Sequence, residues 1–108
     1  GQNFRVIVDY AHTDNGLENI LETVRKVTDN KVITIFGAGG DRDNAKRPKM
    51  AQAAAKYSDY LIITSDNPRT EDPEKIVKEV EAGLKEINFP KELVINYWED
   101  QIIEFFGI

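Results

Sequence analysis

Four apolar runs alternate with segments of helical period along this chain, and that alternation constrains the fold more than any other feature. "FRVIVDYA" (4–11) is rich in β-branched residues and predicts a strand. In the next stretch Leu17, Ile20, Leu21, Val24 and Val27 recur at helical spacing, with Thr13 or Asp14 placed to cap the start. "KVITIFG" (31–37) reads as a second strand, its continuous apolar run suited to burial on both faces. The loop "GAGGDRDNAKRP" leads into a helix from about Pro48 to Tyr57, and "YLIIT" (60–64) is the third strand. Asp72-Pro73 pairs an N-cap with proline at the first helical position, and the helix continues through Ile76, Val80, Leu84 and Ile87. "ELVINYW" (92–98) predicts a fourth strand and "EDQIIEFFGI" a final short helix. Such a chain is expected to be α/β: a Rossmann-like three-layer domain with a mostly parallel sheet and helices on both faces.

Bulk properties exclude several classes of function. The 108 residues suffice for one domain with one core. A net charge of -5 argues against a nucleic-acid partner, because phosphate contacts need a basic surface. No apolar run approaches the ~18 residues of a membrane helix, so no membrane partner is expected. Cysteine is absent and there is one histidine, which leaves little for a transition-metal site and suits a reducing compartment. No metal ligands are expected.

In a parallel sheet, ligands bind beyond the carboxyl ends of the strands. Three polar motifs sit there. "DYAHTD" carries Asp9, Tyr10, His12 and Thr13 at a strand-to-helix junction, where a helix N-terminus favours anions. It reads equally as a capping threonine beside a surface histidine. "GAGGDRDNAKRP" is neither G-x-G-x-x-G nor a P-loop. Its Arg42, Lys46 and Arg47, interleaved with Asp41 and Asp43, form either a solvated salt-bridge cluster or a clamp in which Arg42 forks onto a carboxylate. "SDNPR" offers Asp66, Asn67 and Arg69 on a turn stiffened by Pro68. These groups match an ammonium, an amide partner and a carboxylate, which are an amino acid's own groups. An Asx-turn with an exposed arginine is the plainer reading.

Taken together, "DYAHT", "GGDRDNAKRP" and "TSDNPRTEDP" resemble the C-terminal domain of the Mur ligase family, in its diaminopimelate-adding (MurE-type) branch, over about residues 2–87. The resemblance implies an ATP-dependent amide ligase of peptidoglycan synthesis, cytoplasmic, that adds meso-diaminopimelate to UDP-MurNAc-L-Ala-D-Glu. It implies that Arg42, Asp66, Asn67 and Arg69 bind the diamino acid, with Arg69 on the distal carboxylate that lysine lacks. His12, with Asp9 and Tyr10, would face the ATP side. ATP and magnesium would be held mainly by a central domain that this chain does not contain, and the UDP-sugar by an N-terminal domain that is also absent.

The sequence departs from the family pattern at Asp14, where proline is usual, and at Ala38, often cysteine. It also stops before a Lys-Gly-His-Glu segment, so residues 1–108 are expected to be a shortened C-terminal domain with no catalytic residue and no turnover alone. Two alternatives remain at this stage. One is a lysine- or glutamate-adding ligase of the same superfamily. The other is a free-standing α/β module for an anionic metabolite.

Overall fold

The computed structural model describes residues 4–41 and 44–96, with the backbone alone at residues 95 and 96. Three helices and three strands alternate: α1 (Asp14–Val27), β1 (Ile33–Phe36), α2 (Lys46–Tyr57), β2 (Tyr60–Ile63), α3 (Pro73–Glu86) and β3 (Val94–Asn96). A single 3₁₀ turn, Lys91–Leu93, leads into β3. The strands form one parallel sheet in the order β1-β2-β3. Ile33 stands opposite Tyr60 and Phe36 opposite Ile63, while Leu61 and Ile63 of β2 stand opposite Val94 and Asn96 of β3. The chain is a mixed α/β domain built on a parallel sheet.

Local chemistry accounts for the helix ends. The Thr13 hydroxyl accepts from the Gly16 N–H at 3.0 Å and starts α1. Asp72 accepts from the Glu74 N–H at 3.0 Å, and Pro73, which has no N–H to lose, opens α3. Helix α2 has no side-chain cap and begins two residues earlier than its pattern predicts, at Lys46.

One face of the sheet carries the core. Phe36, Leu61 and Ile63 point into it and meet Leu17 and Leu21 of α1, Met50, Ala51 and Ala54 of α2, and Ile76, Val80 and Leu84 of α3. Helix α2 lies between the other two, and its alanines let it sit close to both. A methyl group on Gly83 of α3 would come within 2.1 Å of the Pro48 carbonyl oxygen, so only glycine permits this approach of α3 to α2. Arg25 ties the far end of the layers together. It donates to the Asp59 carboxylate at 3.0 Å and to the carbonyls of Tyr57 and Asn30.

One expectation is corrected, and one is not met among the described residues. Residues 5–10 form no strand: Phe4, Val6, Ile7, Val8 and Tyr10 are 57–97% exposed. A β-branched run becomes a strand only where a neighbour takes up its backbone groups, and propensity does not supply the neighbour. Nor do helices cover both faces among the described residues. Each crossover, β1 to β2 and β2 to β3, steps the same way across the sheet, so right-handed connections put both crossover helices on one side. On the other side Ile33 and Ile35 are 45% and 62% exposed, although Ile62 beside them is fully buried. The proposed final helix, and the end of the fourth strand beyond residue 96, lie outside the described residues.

Candidate functional site

The carboxyl ends of β1 and β2 open into two loops, 37–45 (described over 37–41 and 44–45) and 64–72, and the start of α1 stands beside them. The loops are joined by backbone. The Thr64 N–H donates to the Phe36 carbonyl at 2.9 Å, and the Gly40 N–H to the Asn67 carbonyl at 2.8 Å. A methyl group at Gly40 would lie 1.8 Å from the Pro68 carbonyl oxygen, so the contact demands glycine. Among the described residues three non-glycines have positive φ, and two face each other across this contact: Asp41 (55°) and Arg69 (52°). Each conformation costs on the order of 1 kcal/mol and persists only where its surroundings hold it.

Between the loops and α1 lies a cleft of about 290 Å³. His12, Lys46, Asp66, Asn67 and Arg69 line its polar side, and Ala38 and Met50 its apolar side. Asp66, Asn67 and Arg69 are exposed at its mouth. The Asn67 side-chain oxygen accepts from the Arg69 N–H at 3.4 Å, an Asx-turn that stiffens the stretch. No hydrogen bond or ion pair occupies the Arg69 guanidinium or the Asp66 carboxylate among the described residues. The His12 Nδ1 donates to the Tyr10 carbonyl at 3.2 Å, which leaves Nε2 of the neutral ring as an acceptor. Lys46 reaches the Asp14 carboxylate at 3.6 Å. A free carboxylate and a free guanidinium on one turn are complementary to the ammonium and the carboxylate of an amino acid.

Not every residue named from the pattern reaches the cleft. His12, Asp66, Asn67 and Arg69 share it. Asp9 caps its own turn, accepting from the Ala11 N–H at 2.9 Å, and Tyr10 is 97% exposed; neither lines the cleft. Arg42 lies outside the described residues. A wider groove, about 380 Å³, runs along α3 past Asp72, Lys75, Lys78 and Glu79. It is an open helix face bearing its own Lys75–Glu79 pair, with no convergence of loops.

Sequence reasoning passed over the group that organises the site. Arg47, placed from the pattern in a mixed-charge loop, is 1% exposed. Its guanidinium donates to both oxygens of Glu71, at 2.9 and 2.8 Å, to Glu79, and to the Gly39 carbonyl at 3.1 Å. Only its Nε–H is left without a partner. Glu71 in turn accepts from the Asp41 N–H at 2.7 Å, and the Thr70 hydroxyl donates to the Asp41 carboxylate at 2.6 Å. The partners of Arg47 stand 24 and 32 residues downstream, so no local pattern could have found them.

The clamp leaves an acid signature. Hydrogen bonds from Arg47 first, and from the Asp41 N–H second, pull the Glu71 carboxyl from 4.5 down to about 2. A depressed folded value contributes stability that is complete above the unfolded value and is lost as pH falls from about 4.5 to about 2. In thermal melts the melting temperature of the unaltered chain should fall more steeply over that window than that of Glu71→Gln. Parallel slopes would show that Glu71 is not held this way.

Comparison with known proteins points in one direction. Residues 1–102 match the family described as "Mur ligase, glutamate ligase domain". The chain is 53% identical, over 88% of its length, to a protein of Syntrophomonas wolfei named UDP-N-acetylmuramoyl-L-alanyl-D-glutamate--2,6-diaminopimelate ligase. It is 57% identical, over 78% of its length, to a protein of the same name from Geobacillus kaustophilus. It spans about a fifth of such relatives, 19% and 17% of their lengths. A solved structure of a ligase of that name superposes on 98% of the chain with a TM-score of 0.77 and 39% identity, the match covering 22% of that structure.

Proposed function

Since the chain belongs to the Mur ligase family, through its glutamate ligase domain, we propose that it is the C-terminal, amino-acid-selecting domain of an ATP-dependent ligase that joins meso-diaminopimelate, or a similar diamino diacid, to UDP-MurNAc-L-Ala-D-Glu. The observation that carries this reading is the unpartnered Arg69 guanidinium beside Asp66 and Asn67 in one cleft. Arg69 takes the distal carboxylate of the diamino acid, Asp66 its ammonium, and Asn67 donates or accepts beside them. Arg42, which follows Asp41 in the sequence, takes a second carboxylate. A lysine side chain would bring an ammonium to Arg69 and leave the guanidinium without a counter-charge.

The reaction has two steps. A carboxylate oxygen of the dipeptide takes the terminal phosphoryl group of ATP, giving an acyl phosphate and ADP. The amine nitrogen of the diamino acid then attacks the acyl carbon, the C–O bond to phosphate breaks, and the amine gives up a proton as the amide forms. This domain's part is to hold the amine in line, which is an orientation contribution to the barrier. His12, with Asp9 and Tyr10 behind it, faces ATP across the closed cleft. The magnesium that accompanies ATP is assigned to the ATPase domain of the full-length ligase.

In the complete ligase a second helical layer covers the face bearing Ile33 and Ile35, giving a three-layer Rossmann-like domain. The exposure of both isoleucines supports this. The substrates, ATP and a UDP-linked precursor, put the reaction in the cytoplasm. The test is phosphate release by the full-length ligase carrying this domain, with ATP, magnesium and UDP-MurNAc-dipeptide. Addition of diaminopimelate is expected to start turnover, and the 108-residue chain alone to give none. Release that ignores diaminopimelate would overturn the reading.

A further inference from the structure

The Arg47–Glu71–Glu79 cluster has no part in the reaction just described, yet it touches both loops of the cleft. Arg47 holds the Gly39 carbonyl, and Glu71 holds the Asp41 N–H. Glu71 follows Arg69 by two residues, and its own N–H donates to the Pro68 carbonyl at 3.0 Å. Glu71 therefore ties together the two left-handed residues at the cleft: its carboxylate holds Asp41, and its backbone holds the turn that contains Arg69. Conformations of that kind relax when the contacts around them are removed. Arg47 lines the cleft at only 1% exposure, so its charge is met by the two glutamates and not by solvent.

We infer that Arg47 and Glu71 are positioning residues for the diamino-acid site: they set the spacing of the glycine loop from the Asp66–Arg69 turn, and with it where the Arg69 guanidinium stands. The inference rests on the proposed function for the identity of the ligand, but not for the geometry. The clamp acts on one substrate. Its hydrogen bonds go to the two loops and to Glu79 and, among the described residues, none to the segment at His12, so its loss should be felt in the binding of the diamino acid and not of ATP.

The test compares Glu71→Gln with the unaltered protein in two ways. In the full-length ligase, steady-state kinetics give the KM for diaminopimelate and for ATP. Glu71→Gln is expected to raise the first at least tenfold and leave the second within twofold. Glu79→Gln, which keeps the bidentate Glu71 pair, should raise it far less. In the 108-residue chain, amide hydrogen exchange at Gly40 and Asp41 is expected to quicken at least tenfold, with the Leu61 and Ile63 amides of β2 unchanged. A fall in kcat with both KM values unchanged, or unaltered exchange at Gly40 and Asp41, would overturn the inference. Failure of the unaltered ligase to respond to diaminopimelate would instead sink the functional reading, and exchange alone would then decide whether the clamp positions the loops.

Discussion

Arg69→Ala in the full-length ligase is expected to lower kcat/KM for diaminopimelate about 100-fold. A hydrogen bond to a charged group is worth about 1.5–3 kcal/mol, and a bidentate guanidinium–carboxylate pair lies at the upper end. Each 1.4 kcal/mol is a factor of ten, so about 3 kcal/mol gives roughly two decades. In the open domain Arg69 is exposed and its charge is screened by water. The full effect therefore requires the cleft to close over the substrate and exclude that water. Arg69→Lys is the informative companion. It keeps the charge and loses the fork, so it should recover part of the loss and not all of it. Both variants should melt like the parent, because among the described residues the guanidinium makes no hydrogen bond or ion pair that the substitutions would remove. A variant at Arg69 with undiminished kcat/KM would show that the distal carboxylate is held elsewhere.

Arg47→Met should carry the largest stability cost of any single substitution near the cleft. It removes a side chain that is 2% exposed and leaves the Glu71 and Glu79 carboxylates facing each other with only the looser Lys75–Glu79 pair, at 3.9 Å, as counter-charge. Breaking a buried pair by deleting one partner costs about 3–5 kcal/mol. The two carboxylates are 17% and 28% exposed, so water takes up part of their charge and the lower end, about 3 kcal/mol, is expected. At about 4–8 °C for each kcal/mol in a domain of this size, the melting temperature should fall by more than about 10 °C. The double variant Arg47→Met/Glu71→Gln should recover part of that fall, since it removes one of the stranded charges. A single variant that melts within a few degrees of the parent would mean that the cluster is solvated and not buried.

What the sequence makes legible here is local. Thr13 and Asp72-Pro73 announce helix starts because a cap acts within three residues. "YLII" announces a buried central strand because nothing else in a soluble domain accommodates four such side chains in a row, and Leu61, Ile62 and Ile63 are fully buried. The glycine loop and "SDNPR" announce a rim because a parallel sheet brings its strand ends together, whereas "DYAHT" reaches it through the start of α1 and not through a strand. What escapes is whatever depends on distant partners. Residues 4–10 have a strand's composition but no paired neighbour among the described residues. Arg47 looks like one more cation in a charged loop until Glu71 and Glu79 fold back onto it. The need for glycine at residue 40 is equally invisible before the Pro68 carbonyl arrives against it.

The central claim is that this domain selects a diamino diacid through Arg69. The most direct measurement is phosphate release by the full-length ligase, supplied with ATP, magnesium and UDP-MurNAc-dipeptide, with diaminopimelate and lysine offered side by side at equal concentration. Turnover with diaminopimelate and none above background with lysine is the expected result. Turnover with lysine alone would keep the ligase and contradict the role given to Arg69.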